Sequence, residues 1–431
     1  MDTDLTSTLT AQATEIMRKN DRGGYTLPTD GLYPYQWNWD SAFAALGFAT
    51  FDINRAWLEL ETLMSGQWSS GMVPHILFHE ESPGYFPGPD VWGGIGPIAS
   101  SGITQPPIAM SAMRWIYERN EDAGRQRALA MFPGMVRWLN WFMTYRLDEG
   151  AVCITHPWEA GRDNAPDWDD AMAALEPHDV GEYQRRDTSH VDADMRPKKY
   201  DYDRYIWLVK LGRSLNWDDA TLLEQNPFRV ADPTMTFTLL RAARDLQALG
   251  VSLGEDVSDL SAHISTLTAG TKTLWNPQLS CFDSRDVPSG KWAGSVSNAS
   301  FLCWYSGIDV PGEMLTHLRR IMSACTYGIP SLDPSDPRFD AQRYWRGPSW
   351  CVMNKMIGMG LTEAGLPEGE EVRATTRKII QDCGFAEYFD PLTGAPAGGQ
   401  SFTWTAAVWL DWVIDVNSGN ANSGKESATG A

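Results

Sequence analysis

Seven segments of the sequence combine side chains that can do acid–base chemistry with tryptophan, tyrosine, glycine and proline. Aromatic surroundings raise the pKa of a carboxyl group by removing it from water, so that it can act as a general acid near neutral pH. Acetal hydrolysis needs one such acid at the leaving oxygen and a second carboxylate beside the anomeric carbon or the attacking water. Any single acid of this kind could simply be solvated, but the set of seven indicates a glycoside-cleaving site. The segments are YPYQWNWD (33–40), GYFPGP (84–89), GITQPP (102–107), HPWEAGRDNAPDWDD (156–170), MRPKKYDYDRY (195–205), YWRGPSW (344–350), and GFAEYFDPLTG with SFTWTAA (384–407).

Tryptophan is unusually frequent, with 20 residues in a chain of 431. Its flat apolar face suits the C–H-rich faces of sugar rings. A large helical barrel also needs bulky side chains, and composition alone favours that simpler explanation. Position in the structure has to decide between the two.

The formal net charge of −20 argues against a nucleic acid or an anionic membrane as partner. It favours a small neutral ligand, or an acidic one that a local arginine recognises. The first ten residues lack a basic and then apolar segment, no run of eighteen apolar residues occurs, and the six cysteines are scattered. We therefore expect a cytoplasmic protein with reduced thiols. His75 and His79 are expected to be structural, and no metal or other cofactor is predicted.

The elements that must position these segments are mostly amphipathic helices. Apolar residues recur at helical spacing over 53–64 and 233–249, with Asp52 and Asp232 as expected N-caps and Gly250 as the expected end of the second helix. Short strands are expected only near 151–155 and 279–283. The sequence therefore predicts an all-α fold. Further helices are predicted near 5–19, 107–119, 124–146, 202–214, 256–274, 311–324, 350–360, 366–382 and 404–415.

Together these segments resemble glycoside hydrolase family 63, and especially its bacterial members that hydrolyse mannosylglycerate and glucosylglycerate. The resemblance extends from about Tyr33 to Trp412, and PWEAGRDNAPDWD, YWRGPSW and EYFDPLTG are its most specific parts. It implies an (α/α)6 barrel with long loops that form the pocket, inversion at the anomeric carbon and no catalytic metal. We expect residues 1–416 to form one domain and the small, polar segment 417–431 to be disordered.

The resemblance matches Asp163 to the general acid and Glu387 to the base that activates water. Glu159 is a rival acid that we place in the supporting shell, against the loop or a sugar hydroxyl, and Asp167 is a weaker rival. Relatives often have Thr-Gly-Glu where this chain has Thr393-Gly394-Ala395. With the base at Glu387, this departure should not abolish activity.

Further positions match residues that bind substrate. Trp39, Asp40 and Gln105 resemble groups that hold the non-reducing sugar, whereas Arg196, Tyr202 and Tyr344 resemble the group that binds the glycerate carboxylate. Trp404 is either a sugar platform or part of the barrel core. The other expected binding residues are Tyr33, Trp37, Tyr85, Trp158, Trp345 and Trp350.

Three alternatives stay open at this point. A neutral disaccharide or oligosaccharide end could be the substrate, and Arg196 is the feature that argues against it. A sugar isomerase or epimerase typically needs histidine bases, for which His156 and His190 are the candidates. A catalytically dead sugar-binding module is disfavoured because Asp163 and Glu387 are both present.

Overall fold

A computed structural model of the chain describes residues 2–185 and 193–414. The expected disordered tail, 417–431, lies outside these residues, and so does His190. None of the described helices has the length and apolarity that a bilayer crossing requires. In chain order the helices are α1 (Asp2–Asn20), α2 (Asn38–Phe48), α3 (Ile53–Ser65), α4 (Pro89–Trp92), α5 (Ile108–Arg119), α6 (Glu121–Tyr145), α7 (Asp169–Ala173), α8 (Lys199–Ser214), α9 (Asp219–Gln225), α10 (Pro233–Leu253), α11 (Ser258–Thr271), α12 (Leu302–Ser306), α13 (Gly312–Ala324), α14 (Cys351–Glu363), α15 (Glu368–Cys383) and α16 (Thr403–Val408).

Six of these helices form a closed inner ring. Each packs against the next in the order α2, α5, α10, α12, α14 and α16, and α16 closes the ring by packing against α2. Outer helices alternate with them along the chain: α3 packs on α2, α6 on α5 and α10, α11 on α10, α15 on α14, and α1 on α16. The outer helix α13 is tied to α15 by an ion pair between Arg319 and Glu368 at 2.6 Å. The predicted all-α fold and the (α/α)6 barrel are confirmed.

The inner helix α2 was not predicted, because no polar face reveals it. All eleven of its residues are buried, so its sequence lacks the apolar–polar alternation that marks a surface helix. The outer helix α3, by contrast, has the predicted amphipathic pattern, and Arg55, Ala56, Leu60 and Leu63 are among the residues that it buries.

The predicted N-caps are confirmed. The carboxylate of Asp52 accepts a hydrogen bond from the backbone N–H of Arg55, and that of Asp232 accepts one from Met235. The predicted end of α10 at Gly250 is wrong, because the helix continues to Leu253 and ends at Gly254. A Cβ on Gly250 would lie 2.7 Å from the ring of Phe132, so this glycine serves close helix packing rather than termination.

Strands are short and lie in the loops. They are β1 (Gln36–Trp37), β2 (Ile76–Leu77), β3 (Leu147–Asp148), β4 (Ala151–Ile154), β5 (Val230–Ala231), β6 (Trp275–Asn276), β7 (Cys281–Phe282), β8 (Arg285–Asp286), β9 (Tyr388–Phe389) and β10 (Pro396–Ala397). An antiparallel sheet has the order β3-β4-β5-β8, and the pairs β1–β2, β6–β7 and β9–β10 are also antiparallel. The predicted strands near 151–155 and 279–283 correspond to β4 and β7. The β9–β10 hairpin lies beside Glu387 and carries it to the mouth of the barrel.

Candidate active site

An open cavity of about 910 Å³ lies at the mouth of the barrel. Trp39 and Asp40 reach it from the first turn of α2, Gln105 from the segment just before α5, and Trp404 from the first turn of α16. The cavity therefore lies at the amino ends of these inner helices. Thirteen of the predicted site residues line it, namely Tyr33, Trp37, Trp39, Asp40, Tyr85, Gln105, Trp158, Asp163, Arg196, Tyr202, Tyr344, Glu387 and Trp404.

The side chain of Glu387 is only 1% exposed, and its carboxylate is held by three donors. Its Oε1 accepts a hydrogen bond from the hydroxyl of Tyr33 at 2.9 Å. Its Oε2 accepts from Arg196 at 3.1 Å and from the backbone N–H of Gly399 at 2.8 Å. The indole N–H of Trp404 donates to the backbone carbonyl of Glu387 at 3.0 Å. A carboxylate with this many fixed donors has one orientation, as a base that must meet a positioned water requires.

Asp163 is half-buried and faces the same cavity. It follows the 3₁₀ turn Pro157–Ala160, and its backbone carbonyl accepts hydrogen bonds from the hydroxyl of Tyr205 at 2.8 Å and from the indole of Trp168 at 3.3 Å. These bonds hold the loop while leaving the carboxyl group at the cavity wall. The structure therefore brings the two predicted catalytic carboxyl groups to one pocket.

Arg162, the residue before Asp163, anchors this loop to the inner ring of helices. Arg162 is fully buried, pairs with Asp167 at 2.7 Å and with Asp232 at 3.0 Å, and donates to Thr234 at 2.8 Å. Because Asp232 and Thr234 lie at the start of α10, the loop that carries Asp163 is fastened to a rigid element. Asp167, the weaker rival acid, is absorbed in this ion cluster and does not line the cavity.

Asp40 experiences the charges of Glu387 and Asp163. Burial raises its pKa well above the ordinary value, and the negative charges of Glu387 and Asp163 raise it further, whereas a backbone hydrogen bond lowers it. The raised pKa extends the pH range over which Asp40 keeps its proton, and a protonated carboxyl group can donate a hydrogen bond as well as accept one. Such a group suits a sugar hydroxyl, which also donates and accepts.

Arg196 is buried against Glu387. Its terminal nitrogens donate to the Tyr33 hydroxyl at 3.0 Å and to Glu387, and the guanidinium carbon lies 4.4 Å from the ring centroid of Tyr344. Its Nε atom has no hydrogen-bond partner within the described residues. Asp201, which could have paired with Arg196 to order the loop, instead lies 3.8 Å from Arg343.

Aromatic rings form the remaining wall. Trp158 and Tyr202 are 5.9 Å apart between centroids, and Trp37 and Tyr85 are also 5.9 Å apart at an interplanar angle of 75°. Both pairs line the cavity and offer ring faces or edges to a ligand. Trp404 lines the cavity and is buried in the core, so its role as a sugar platform stays a prediction.

Three predicted binding residues do not reach the cavity. The carboxylate of Glu159 is buried and accepts from the backbone N–H of Thr155 at 2.6 Å and from Arg146 at 3.3 Å, so it holds the loop and does not face a sugar. Trp345 and Trp350 are fully buried and stack on each other at 3.8 Å, behind the wall. For Glu159, the structure therefore has the first of the two expected roles, the one against the loop. For Trp345 and Trp350, the expectation of direct substrate contact is wrong, because packing against neighbouring rings covers their faces.

Position 395 lies away from the cavity as well. Ala395 sits beside β10, where its backbone N–H donates to Thr393 and its carbonyl accepts from Asp390. The departure from Thr-Gly-Glu therefore changes a hairpin turn and not the cavity wall.

The histidines considered for isomerase chemistry have structural surroundings where they are described. Nδ1 of His156 accepts from the backbone N–H of Trp158, and Nε2 lies 3.1 Å from the carbonyl of Tyr205. Burial lowers the pKa of His156 to about 3, so it is neutral, and it does not line the cavity. Within residues 2–185 and 193–414, no three His, Cys, Asp or Glu side chains form a group that could hold a metal ion.

Several lining residues were missed from the sequence. Phe86, Pro87, Gly161, Pro197 and Phe402 fall within the seven segments but were not singled out, since their apolar character gives no sign of a role. His75 was expected to be structural, yet it lines the cavity, with Nδ1 3.0 Å from the hydroxyl of Ser101. Burial, reinforced by His156, lowers its pKa well below the ordinary value. Pro28, Leu32 and Ile76 also line the cavity, and no sequence signal marks them.

Comparison with known proteins places these features in a family. The family described as the mannosylglycerate hydrolase MGH1-like glycoside hydrolase domain matches residues 33–405. Mannosylglycerate hydrolase MGH1 of Selaginella moellendorffii is 42% identical over 95% of this chain and 87% of its own. Glucosylglycerate hydrolase of Mycolicibacterium hassiacum is 34% identical over 94% of this chain and 97% of its own.

A solved structure agrees with the sequence match. The GH63 mannosylglycerate hydrolase of Thermus thermophilus, in complex with Tris and D-glycerate, superposes with a TM-score of 0.91 at 40% identity and covers 94% of this chain and 100% of its own. The similarity thus extends over nearly the whole chain. The chain therefore belongs to the MGH1-like glycoside hydrolase family and is a glycosidase.

Proposed function

We propose that this protein hydrolyses the α-glycosidic bond between a hexose and a small acidic acceptor of the glycerate type, with inversion at the anomeric carbon. The observation that carries the acidic acceptor is Arg196, the one arginine among the described residues that line the cavity. In a chain of net charge −20, a carboxylate ligand needs such a local cation. The names of the relatives, which include hydrolases of mannosylglycerate and of glucosylglycerate, support the same substrate class.

In the proposed reaction Asp163 donates its proton to the glycosidic oxygen as the bond from the anomeric carbon to that oxygen breaks. A water molecule attacks the anomeric carbon from the opposite face and passes one proton to Glu387. The products are the free hexose and the acceptor acid, and solvent returns a proton to Asp163 and removes one from Glu387. Asp40 and Gln105 are proposed to hold the hexose, while Tyr202 and Tyr344 join Arg196 around the acceptor.

A second substrate class follows from the geometry of Arg196. Two of its nitrogens are already bonded to Tyr33 and Glu387, which leaves Nε as the unpartnered atom in the described residues. If the guanidinium serves only to orient the base, a neutral α-linked disaccharide would be accepted as readily as a glycosylglycerate.

The two classes separate in one assay. The protein is incubated with mannosylglycerate, glucosylglycerate and a panel of neutral α-linked disaccharides, and released hexose is measured. We expect kcat/KM to be at least a hundredfold higher for a glycosylglycerate. Equal rates on a neutral disaccharide would contradict the acidic acceptor. Proton NMR of the early product should show the β-hexose first, whereas an initial α-hexose would exclude inversion.

A further inference from the structure

Two consecutive glycines, Gly398 and Gly399, lie against Glu387. Gly399 makes backbone hydrogen bonds to it, and Gly398 leaves no room for a Cβ beside its side chain. The N–H of Gly399 donates to Oε2 of Glu387 at 2.8 Å. In return, the backbone N–H of Glu387 donates to the carbonyl of Gly399, also at 2.8 Å. The carboxylate and its own backbone are thus fixed by the same residue.

The two carboxylate oxygens of Glu387 have different numbers of donors. Oε2 accepts from Gly399 and from Arg196, which uses both of its lone pairs. Oε1 accepts from Tyr33, whose hydroxyl oxygen itself accepts from Arg196 and therefore directs its proton at Oε1. Within the part of the chain that the structure describes, one lone pair of Oε1 is left for a water molecule.

We infer that Gly398 and Gly399 are positioning residues for the reaction and that Oε1 is the oxygen of Glu387 that takes the proton from the attacking water. The water's O–H bond breaks, its proton goes to Oε1, and its oxygen forms the bond to the anomeric carbon while Asp163 protonates the departing oxygen. This inference rests on the proposed role of Glu387 as the base.

The position of Gly398 excludes any side chain. Its φ of +72° lies in the left-handed region that favours glycine, and an added Cβ would overlap Oε2 of Glu387 and lie 2.7 Å from the Cβ of that residue. The Cβ would also lie 2.7 Å from Cε1 of Tyr388. The carboxylate of Glu387 makes the shortest of these contacts and has to move, because the alternative is to shift the backbone of the turn. A methyl group at 398 therefore acts directly on the orientation of the base.

The glycine turn is also anchored from behind. The hydroxyl of Thr29 donates to the carbonyl of Gln400 at 2.6 Å, and the backbone N–H of Phe402 donates to Phe385 at 2.9 Å. These bonds connect the turn to the segment before α2 and to the segment that carries Glu387. Loss of the Thr29 bond should loosen the turn without placing an atom against the carboxylate.

The test compares Gly398→Ala with Gly365→Ala. Gly365 has nearly the same φ, +73°, and a Cβ there would meet nothing within 4 Å, so it carries the same backbone cost without contact to the base. Since a misplacement of about 1 Å can cost roughly a hundredfold in rate, we expect kcat of Gly398→Ala to fall by about that factor. KM should stay within about threefold, and the Gly365→Ala control should keep wild-type kcat per folded molecule.

Wild-type kcat in Gly398→Ala would overturn the inference, and so would an equal loss in the two glycine variants. If Gly398→Ala does not fold, Thr29→Val decides: a severalfold drop in kcat at unchanged KM supports the inference, and an unchanged kcat overturns it. Glu387→Gln separates this inference from the proposed function. If Glu387→Gln is active, the base assignment fails; if it is inactive while Gly398→Ala is fully active, only the positioning role fails.

Discussion

Buried carboxylates in the cavity and in the interior of the barrel below it differ in the number of cations that surround them. In the interior, Asp245 accepts from both Arg114 and Arg241, at 2.8 and 2.9 Å, and Asp411 pairs with both Arg119 and Lys355. We call these six residues the inner-helix ion network; none of them lines the cavity. Each of its two carboxylates has two cations. Arg114 and Arg241 also pair with Glu118 and Glu363, so the four cations of this network are matched by four carboxylates.

Among the described residues that line the cavity there are three carboxyl groups and one guanidinium. Asp40, Asp163 and Glu387 line the cavity, and Arg196 pairs with Glu387. The pKa of Asp40 is raised well above its ordinary value because burial and its two acidic neighbours disfavour a further negative charge. The difference indicates that the interior charges serve stability, whereas the cavity keeps an unbalanced set that can exchange protons and bind hydroxyl groups.

The largest expected effect comes from the two carboxyl groups that are proposed as acid and base. Asp163→Asn and Glu387→Gln should each lower kcat by two to four orders of magnitude, as the loss of general acid–base catalysis does. Asp163→Asn should not reduce the free energy of unfolding, because the amide relieves the excess of negative charge. Glu387→Gln should reduce it, because the buried guanidinium of Arg196 loses its ion-pair partner. Steady-state kinetics and urea denaturation test both statements, and near wild-type turnover in Asp163→Asn would refute its role as the acid.

In the inner-helix ion network the opposite outcome is expected. Lys355→Ala leaves Asp411 with one cation and should lower the free energy of unfolding by roughly 3 kcal/mol, while kcat per folded molecule stays unchanged. The control is Lys378→Ala, because the Lys378–Asp382 pair has side chains that are 47% and 42% exposed. Its loss should leave the free energy of unfolding nearly unchanged, since solvent screens an exposed ion pair. Equal destabilisation by the two changes would remove the contrast between cavity and interior.

Arg196 is expected to affect both the charge balance of the cavity and the preference for an acidic substrate. Arg196→Ala should lower kcat on every substrate, because it unpairs Glu387, and should weaken acidic substrates further. Charge-assisted hydrogen bonds contribute about 1.5–3 kcal/mol, so the ratio of kcat/KM for a glycosylglycerate to that for a slowly cleaved neutral glycoside should fall at least tenfold. An unchanged ratio would limit Arg196 to holding the base.

The smallest expected effect is that of Asp40 on the pH dependence of the free energy of unfolding. Its pKa is higher in the folded protein than the ordinary 3.8, so the folded state retains the proton more strongly than the unfolded state. The stability that this proton confers is complete below about pH 4 and is lost as pH rises through the folded pKa. Asp40→Asn cannot ionise, so we expect it to be more stable than wild type at pH 8 by on the order of 1 kcal/mol, with a margin that shrinks toward pH 4.5. Urea denaturation at pH 4.5, 6 and 8 measures the margin, and a constant or negative margin would contradict the expected ionisation.

The chemical groups of the cavity were easier to predict from the sequence than the shape of the cavity. The resemblance of short distinctive segments to glycoside hydrolase family 63 was enough to select Asp163, Glu387, Asp40 and Arg196, all of which line the cavity. Outer helices such as α3 were predicted because a half-buried helix must alternate polar and apolar residues. The N-caps of α3 and α10 were predictable because a carboxylate at the right spacing satisfies a backbone N–H that the helix leaves free.

Tertiary structure decided the rest, because burial and partners depend on residues distant in the chain. Helix α2 is buried on all sides, so no local pattern marked it, and the ring of six helices exists only as contacts between them. Glu159, Trp345 and Trp350 have the same residue types as true lining residues, and only packing placed them behind the wall. The orientation of Glu387 likewise needs Tyr33, Arg196 and Gly399 at once. A sequence specifies which groups are available for such contacts, whereas the three-dimensional fold determines which of them a buried carboxylate actually meets.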